Sequence, residues 1–306
     1  MSDAEGVFPV ADLSDDARVR VFRRVFNAVG EFEGMEVDAY VVITDRHVVF
    51  LDTLLCPADM EQVMLAVQEQ LVGRSMLVIN SHADWDHCWG NAYFTGIRAA
   101  PIIASEQCLE RLLSSEARTE LETFQQQYPL FQDVKLITPT ITFADRLVLQ
   151  GGDLSIELLA APGHQRDQIV AWIPELRLLL AFDSVEWPVP LVHDAESVPK
   201  MFHTLERLIS LQPARVLCSH GKTTSPQQIE NNLAYLREVE QRCQQALQRG
   251  QPTREEMEHA AQWIGYPFEE VIAGLSGKID ITFYSQVHED NVRAVLGWLM
   301  KSDKGG

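Results

Sequence analysis

The sequence lacks the features that mark membrane-spanning, secreted or disulfide-bonded proteins. No apolar run approaches the roughly 18 to 20 residues that a helix needs to cross a bilayer. The first residues, MSDAEG, are acidic and have neither the basic start nor the apolar stretch of a signal peptide. The five cysteines are an odd number and contain no C-x-x-C pair, so a disulfide framework is not expected. We therefore expect a cytoplasmic protein with reduced, mostly buried thiols and no membrane partner.

Positive charge is also scarce. The chain has 25 Lys and Arg against 44 Asp and Glu, which gives a formal net charge of −19. Such a chain disfavours nucleic acid as a partner, because nucleic acid is itself a polyanion. Its 306 residues, of which 46% are hydrophobic, are enough to bury a substantial core. We expect a globular protein that acts on a small molecule, and the oligomeric state stays open.

Predicted strands and helices alternate along the first two thirds of the chain. Strands are predicted at 37–55 (two, around a turn at 44–46), 76–79, 102–103, 147–160 (a hairpin), 169–173, 176–182 and 215–218. Helices are predicted at 57–73, 105–127 and 197–211. This alternation is typical of sheets covered by helices.

From Ser225 onward the pattern becomes helical. Apolar residues recur every three to four positions from Ile229 to Leu247, and Thr253-x-x-Glu256 is a capping box that opens a second helix. A last helix is predicted at 291–299. We expect residues 1–224 to form a catalytic unit and residues 225–306 to form a helical extension packed on it.

Histidine and aspartate recur where predicted strands end. The residues are His82, Asp84, Asp86 and His87 after one strand, and His164, Asp183 and His220 after three others. A solvated turn explains one such cluster but not its recurrence at separate strand ends, where side chains converge in α/β proteins. Mixed imidazole and carboxylate ligands suit zinc, iron or manganese. The remaining histidines are interpreted as structural: His47, His193, His203, His259 and His288.

In this order the motifs resemble those of the metallo-β-lactamase superfamily, whose first motif reads H-x-H-x-D-H. The matching segments are His82-Ala-Asp84-Trp-Asp86-His87, Pro162-Gly163-His164, Asp183 and Ser219-His220-Gly221, with Phe50-Leu51-Asp52-Thr53 resembling the end of an early hairpin. The resemblance covers roughly residues 18 to 222. It implies an α/β fold, a four-layer αβ/βα sandwich with two metals at one edge of its sheets.

The resemblance also implies a ligand for each position. His82, Asp84 and His164 would hold a first metal, Asp86, His87 and His220 a second, and Asp183 would bridge both. Asp84 departs from the family, which usually has histidine there. A carboxylate is a harder donor, so it could shift the first site from zinc toward iron or manganese, or leave it partly filled. Two divalent metals are expected, with zinc favoured, and Asp84→His is expected to raise zinc occupancy of the first site.

The chemistry that follows is hydrolysis by a metal-activated hydroxide. A bound divalent metal lowers the pKa of water to near 7, and two metals stabilise the attacking and leaving oxygens. The substrate would be an ester, thioester, lactone, amide or phosphoester, and Asp86 would orient the hydroxide. The alternative is a diiron redox protein related to flavodiiron proteins, which carry glutamate where Asp84 stands. Residues 225–306 are too few for the flavodoxin-like domain of those proteins.

Other residues are expected to support the site. Asp52 and Asp167 are predicted to orient imidazole rings. Arg166 and Lys222 each follow a proposed ligand histidine and are predicted to contact an anionic substrate, the alternative being solvated loop charges.

The helical extension is also predicted to shape the substrate pocket. Its first helix begins close to His220 in sequence, and its apolar stripe must be buried against something. Tyr235 or Phe268 is the predicted wall residue.

Overall fold

A computed structural model describes residues 6–11, 13–27 and 29–302. Met1–Glu5, which bear on the signal-peptide expectation, lie outside the described residues. Within them, seven strands form one sheet in chain order: β1 (Val7–Val10), β2 (Val19–Val25), β3 (Glu36–Ile43), β4 (His47–Leu51), β5 (Ser75–Ile79), β6 (Ile102–Ser105) and β7 (Ile141–Phe143). Five form a second sheet: β8 (Arg146–Gln150), β9 (Ser155–Ala160), β10 (Ile169–Ile173), β11 (Leu178–Phe182) and β12 (Arg215–Cys218).

Strand direction brings several strand ends to one edge. In the first sheet β1 to β4 are antiparallel, whereas β4 to β7 are parallel, so β4 and β5 end on the same side. In the second sheet the order is β12-β11-β10-β9-β8, with β11 parallel to β12 and the other pairs antiparallel. Strands β9, β11 and β12 therefore run in one direction and end together.

Helices cover the outer face of each sheet. The described α-helices are α1 (Pro57–Val67), α2 (Trp85–Cys88), α3 (Glu106–Leu112), α4 (Ser115–Gln127), α5 (Val198–Ser210), α6 (Gln227–Leu247), α7 (Arg254–Glu258), α8 (Ala260–Ile264), α9 (Phe268–Val271) and α10 (Ile281–Ser302). None of the described helices is long and apolar enough to cross a membrane.

Alternating side chains of one strand enter two different cores. In β3, Val41 and Ile43 pack with the helices on the outer face, while Tyr40 and Val42 pack between the two sheets. This is the period-two geometry of a strand buried on both faces. The layers are therefore helix, sheet, sheet and helix, and the predicted αβ/βα sandwich is confirmed.

Several elements differ from the sequence prediction. The helix predicted at 105–127 is two helices, because the Ser114 hydroxyl accepts a hydrogen bond from Ala117 N–H and so caps a new helix at α4. The last helix is longer than predicted and begins at Ile281. Strands β1, β2 and β7 were not predicted.

The C-terminal helices share a core with the second sheet. Ile229 and Leu236 of α6 and Val295 of α10 belong to the same buried cluster as Val170 and Leu179 of the sheet. The extension thus buries its apolar stripe on the outer face of that sheet, and its division from the rest at residue 224 stays a prediction. All five cysteines are buried and unbonded, as expected.

Candidate metal centre

The seven proposed ligands lie at the shared edge of the two sheets. His82, Asp84, Asp86 and His87 follow β5, while His164, Asp183 and His220 follow β9, β11 and β12. Every one except Asp84 is buried. All seven residues that the sequence singled out are therefore brought together.

Backbone conformation at two strand ends sets the direction of the carboxylates. Asp52 has a φ of 64°, and Phe182, which precedes Asp183, has a φ of 49° beside a register shift between β11 and β12. Left-handed conformations of non-glycine residues are costly and concentrate at functional sites.

A first cluster forms around the Oδ2 atom of Asp84. This oxygen lies 3.2 Å from Nε2 of His82 and 3.4 Å from Nε2 of His164. One ligand atom from each of these three residues lies within 4.8 Å of the other two, which is close enough to hold one cation.

A second cluster forms around the Oδ2 atom of Asp86. It lies 3.6 Å from Nε2 of His87 and 3.4 Å from Nε2 of His220. One ligand atom from each of these three residues also lies within 4.8 Å of the other two, close enough to hold a second cation.

Asp183 joins the two clusters. Its Oδ2 atom lies 3.6 Å from Nε2 of His82, 3.2 Å from that of His87, and 3.5 Å from those of His164 and His220. A single oxygen within 3.6 Å of four imidazole nitrogens is the arrangement expected of a bridging ligand.

The residues fit a pair of divalent metals. Nε2 of His82, His87 and His164 is buried and has no hydrogen-bond partner among the described residues. Buried polar atoms rarely remain unpaired, so these nitrogens point to a missing ligand. Two donors on a tetrahedral zinc, each about 2.0–2.1 Å from it, are about 3.3 Å apart, which matches the observed spacing.

The ligand cluster is strongly polarised. Burial raises the pKa of Asp183, but the nearby His87 and His220 outweigh it and hold this pKa well below its usual value. Burial lowers the pKa of His87, yet Asp183 and Asp86 raise it well above the ordinary value. The carboxylates are therefore ionised and available as ligands.

Each ligand imidazole is held through its Nδ1 atom. Asp52 accepts a hydrogen bond of 2.8 Å from Nδ1 of His87, as predicted for this residue. Backbone carbonyls of Leu191 and Glu36 accept from His164 (3.1 Å) and His220 (2.8 Å). These bonds direct Nε2 of each ring into the cluster.

Asp167 was predicted to orient an imidazole ring, but it contacts no imidazole among the described residues. Its Oδ2 accepts from the N–H of Ala83 at 2.8 Å, and its Oδ1 accepts from Nη1 of Arg111 at 2.6 Å. Asp167 thus holds the backbone of the metal loop rather than a ring.

Sequence reasoning missed Arg111 on α3. Its Nη2 donates to Oδ1 of Asp84, across 27 positions of the chain. Its only sequence signal is a place in the last turn of a helix, which does not distinguish it from a solvated arginine.

Sequence reasoning also missed the buried acid Glu186 and its partner Tyr284, a residue of the extension. Glu186 accepts a hydrogen bond of 2.7 Å from the Tyr284 hydroxyl, and both residues are buried. Burial raises the pKa of Glu186 to about 7. Tyr284 and His220 line the same cleft, so the extension does reach the metal edge.

The two predicted substrate contacts lie in different clefts. Lys222 lies 3.2 Å from Glu36 and lines a cleft of about 360 Å³ together with His220 and Trp187. Arg166 is exposed and lines a separate cleft of about 440 Å³ together with Arg111.

Tyr235 and Phe268, the predicted wall residues, do not line the cleft beside His220. The Tyr235 hydroxyl bonds to Nδ1 of His288 at 2.8 Å, and the Phe268 ring packs on the same histidine. Both lie in the core of the helical extension, and the cleft beside His220 is lined instead by Tyr284.

Comparison with known proteins decides the family. The model of the metallo-β-lactamase superfamily matches residues 33–220, which is more than half of the chain and includes every proposed ligand. The chain belongs to the metallo-β-lactamase superfamily. The resemblance seen in the sequence motifs is thereby confirmed.

Solved structures agree on the fold. A metallo-β-lactamase from Pontibacter korlensis is 16% identical, with a TM-score of 0.60, and the match covers 76% of this chain and 99% of that one. The FIM-1 metallo-β-lactamase from Pseudomonas aeruginosa, in a mono-zinc form, is 13% identical, with a TM-score of 0.57 and coverage of 76% and 96%. At such low sequence identities, the similarity to these two structures shows only that the fold is shared. No curated protein matches the chain.

Proposed function

We propose that the protein hydrolyses an ester, thioester, lactone, amide or phosphoester bond at a two-metal centre. The observation that carries this is the position of Asp183, whose Oδ2 lies 3.2–3.6 Å from the Nε2 atoms of four histidines. Superfamily membership and the ligand clusters support a metal-dependent hydrolase in general.

The proposed ligand sets follow the two clusters. His82, Asp84 and His164 hold one metal, Asp86, His87 and His220 hold the other, and Asp183 is shared. Bound divalent cations lower the pKa of water and polarise a carbonyl or phosphoryl oxygen. Zinc is the favoured metal because it binds both imidazole nitrogens and carboxylate oxygens, with iron or manganese as alternatives.

Asp86 is the proposed catalytic residue. Burial raises the pKa of its carboxyl, but His87 and His220 outweigh this and lower it, so Asp86 stays ionised and can only accept hydrogen bonds. It would accept a hydrogen bond from the attacking water and fix that water's orientation before the bond is broken.

The cleft beside His220 is the proposed substrate pocket. Trp187 and Tyr284 supply aromatic surface, and the cleft is also lined by two lysines (Lys222 and Lys278) and three acids (Glu33, Glu36 and Asp280). This combination suits a substrate with an apolar part and polar groups. Arg166 is a weaker candidate for a substrate contact, since it is exposed and lines a separate cleft beside Arg111.

Metal analysis paired with a substrate screen tests the function. Protein purified without added metal should contain divalent metal, and it should hydrolyse at least one generic ester, thioester, lactone or phosphoester. A chelator should abolish this hydrolysis and added zinc, iron or manganese should restore it. Hydrolysis that survives complete metal removal, or protein that binds none of these metals, would refute the proposal.

The diiron redox alternative gains no support. Residues 225–302, as far as the structure describes them, contain helices and no strand, so they provide no flavodoxin-like sheet. The hydrolase remains the better-supported function.

A further inference from the structure

The two carboxylate oxygens of Asp84 contact different partners: one faces two histidines and the other faces an arginine. Oδ2 faces Nε2 of His82 at 3.2 Å and Nε2 of His164 at 3.4 Å, and it also accepts a hydrogen bond from Gln165 at 3.1 Å. Oδ1 accepts a charge-assisted hydrogen bond from Nη2 of Arg111. One oxygen is therefore free to act as a metal donor, while the other is neutralised by a guanidinium.

Arg111 is itself fixed by a second carboxylate. Its Nη1 donates to Oδ1 of Asp167 at 2.6 Å, and the side chain of Asp167 is fully buried. Oδ2 of Asp167 accepts from the N–H of Ala83, the residue between His82 and Asp84. Because both guanidinium ends are occupied by carboxylates, Arg111 has a set position beside the metal loop rather than a free anion-binding face.

We propose that Arg111 is a positioning residue that makes Asp84 act as an electrically neutral donor at the first metal site. The inference rests on the proposed metal centre. The superfamily motif usually has a neutral histidine at the position of Asp84, and the Asp84–Arg111 pair carries the same net charge as that histidine. The pair also keeps Asp84 monodentate, since Oδ1 is held away from the cluster.

This arrangement reverses an expectation drawn from the sequence. On sequence grounds, Asp84→His should raise zinc occupancy of the first site. With Arg111 in place, however, the new imidazole would leave the guanidinium paired with Asp167 alone. The end that now bonds to Asp84 would then face the cation without a counter-charge, and like charges repel. Asp84→His alone therefore weakens zinc binding at the first site.

A double-mutant cycle tests the charge relationship. The variants are Asp84→His, Arg111→Gln and the double variant, and the readout is the zinc Kd of each site, measured by titration against a chromophoric chelator. Glutamine removes the charge but can still donate a hydrogen bond to Asp167. Asp84→His should weaken the first site about 10- to 100-fold, the range typical of partners that surround metal ligands. Adding Arg111→Gln to Asp84→His should recover about tenfold or more of that loss.

Arg111→Lys is the matched control, because lysine keeps the positive charge. The double variant Asp84→His with Arg111→Lys should stay as weak as Asp84→His alone. The second site, formed by Asp86, His87 and His220, is an internal reference whose Kd should change by less than about threefold in every variant.

The outcomes separate the inference from the function on which it depends. If wild-type protein binds no zinc, iron or manganese, the proposed function fails. If wild-type protein binds metal but Arg111→Gln does not tighten the first site of Asp84→His, then Arg111 acts only through Asp167 and the inference is overturned. The inference is also overturned if Arg111→Gln weakens zinc binding at the first site equally in wild-type and Asp84→His protein. Recovery of zinc affinity by Arg111→Lys as well as by Arg111→Gln overturns it too.

Discussion

Asp52 accepts a hydrogen bond of 2.8 Å from Nδ1 of His87, and this bond leaves Nε2 of the same ring 3.2 Å from Oδ2 of Asp183. Asp52 also accepts from the N–H of Ser81 at 2.6 Å and from its hydroxyl at 2.7 Å. One carboxylate at the end of β4 thus holds both the ring of a proposed ligand and the backbone that leads into the metal loop.

Asp52→Asn should weaken zinc binding at the second site about 10- to 100-fold, because the ring of His87 loses its charged acceptor. Asparagine is chosen because it tolerates the left-handed backbone at this position. Zinc titration of the purified variant measures the effect. Asp45→Asn, on the exposed turn between β3 and β4, is the control and should bind zinc like the wild type. Equal zinc affinity in the two variants would show that the bond to His87 does not tune the site.

Asp183→Ala should lower the content of both metals and abolish hydrolysis, since Oδ2 of Asp183 serves both clusters. His82→Ala should abolish hydrolysis but lower only the metal of the first site. Elemental analysis after exhaustive dialysis distinguishes the two patterns, with circular dichroism as the check on folding. His203→Ala, which removes an exposed histidine of α5, should retain both metals and full activity. Two equivalents of metal in Asp183→Ala protein would contradict the bridging role.

Tyr284→Phe should change KM or substrate preference, because the phenol lies in the cleft beside His220 and donates to Glu186. Tyr235→Phe is the matched control, since it removes a buried hydroxyl of the same extension that bonds to His288 instead. Loss of either hydroxyl should cost about 1–3 kcal/mol of stability. Steady-state kinetics of both variants give the test. The idea that the extension shapes the pocket through Tyr284 is refuted if neither KM nor kcat differs between the two.

Glu186 should make the metal-free protein less stable as pH rises. Its pKa is raised by burial from 4.5 to about 7, so the folded state retains a proton that the unfolded state releases. The stability contributed by this protonated acid is fully present below about pH 4.5 and is lost as pH rises through about 7. Each pH unit in that window costs about 1.4 kcal/mol, or about 3 kcal/mol in full.

Glu186→Gln tests this, because glutamine stays neutral and still accepts the Tyr284 hydrogen bond. The free energy of unfolding is measured in urea for the metal-free wild type and variant at pH 5 and pH 8. From pH 5 to pH 8 the variant should gain stability relative to the wild type. A difference that is the same at both values would mean that Glu186 is already ionised in the folded protein at pH 5.

Local spacing in the sequence predicted helix-covered sheets and placed histidine and aspartate at strand ends, whereas the four-layer order and the ligand assignment were implied by the resemblance of the motifs to the superfamily. Period-two apolar strands such as β3 place alternate residues in two cores wherever the strand lies. His82, His164, Asp183 and His220 follow strand ends, and parallel strand ends meet at one edge by topology alone.

Only the tertiary structure decided which residues surround that set. Arg111 contacts Asp84 across 27 positions, and Tyr284 contacts Glu186 across 98. Such pairs depend on how α3 and α10 pack against their sheets, and the sequence near each residue records only a helix position. The same reason explains why Tyr235 was chosen instead of Tyr284. An amphipathic stripe indicates that one face of a helix is buried. The surface against which that face packs depends on the packing of the whole chain.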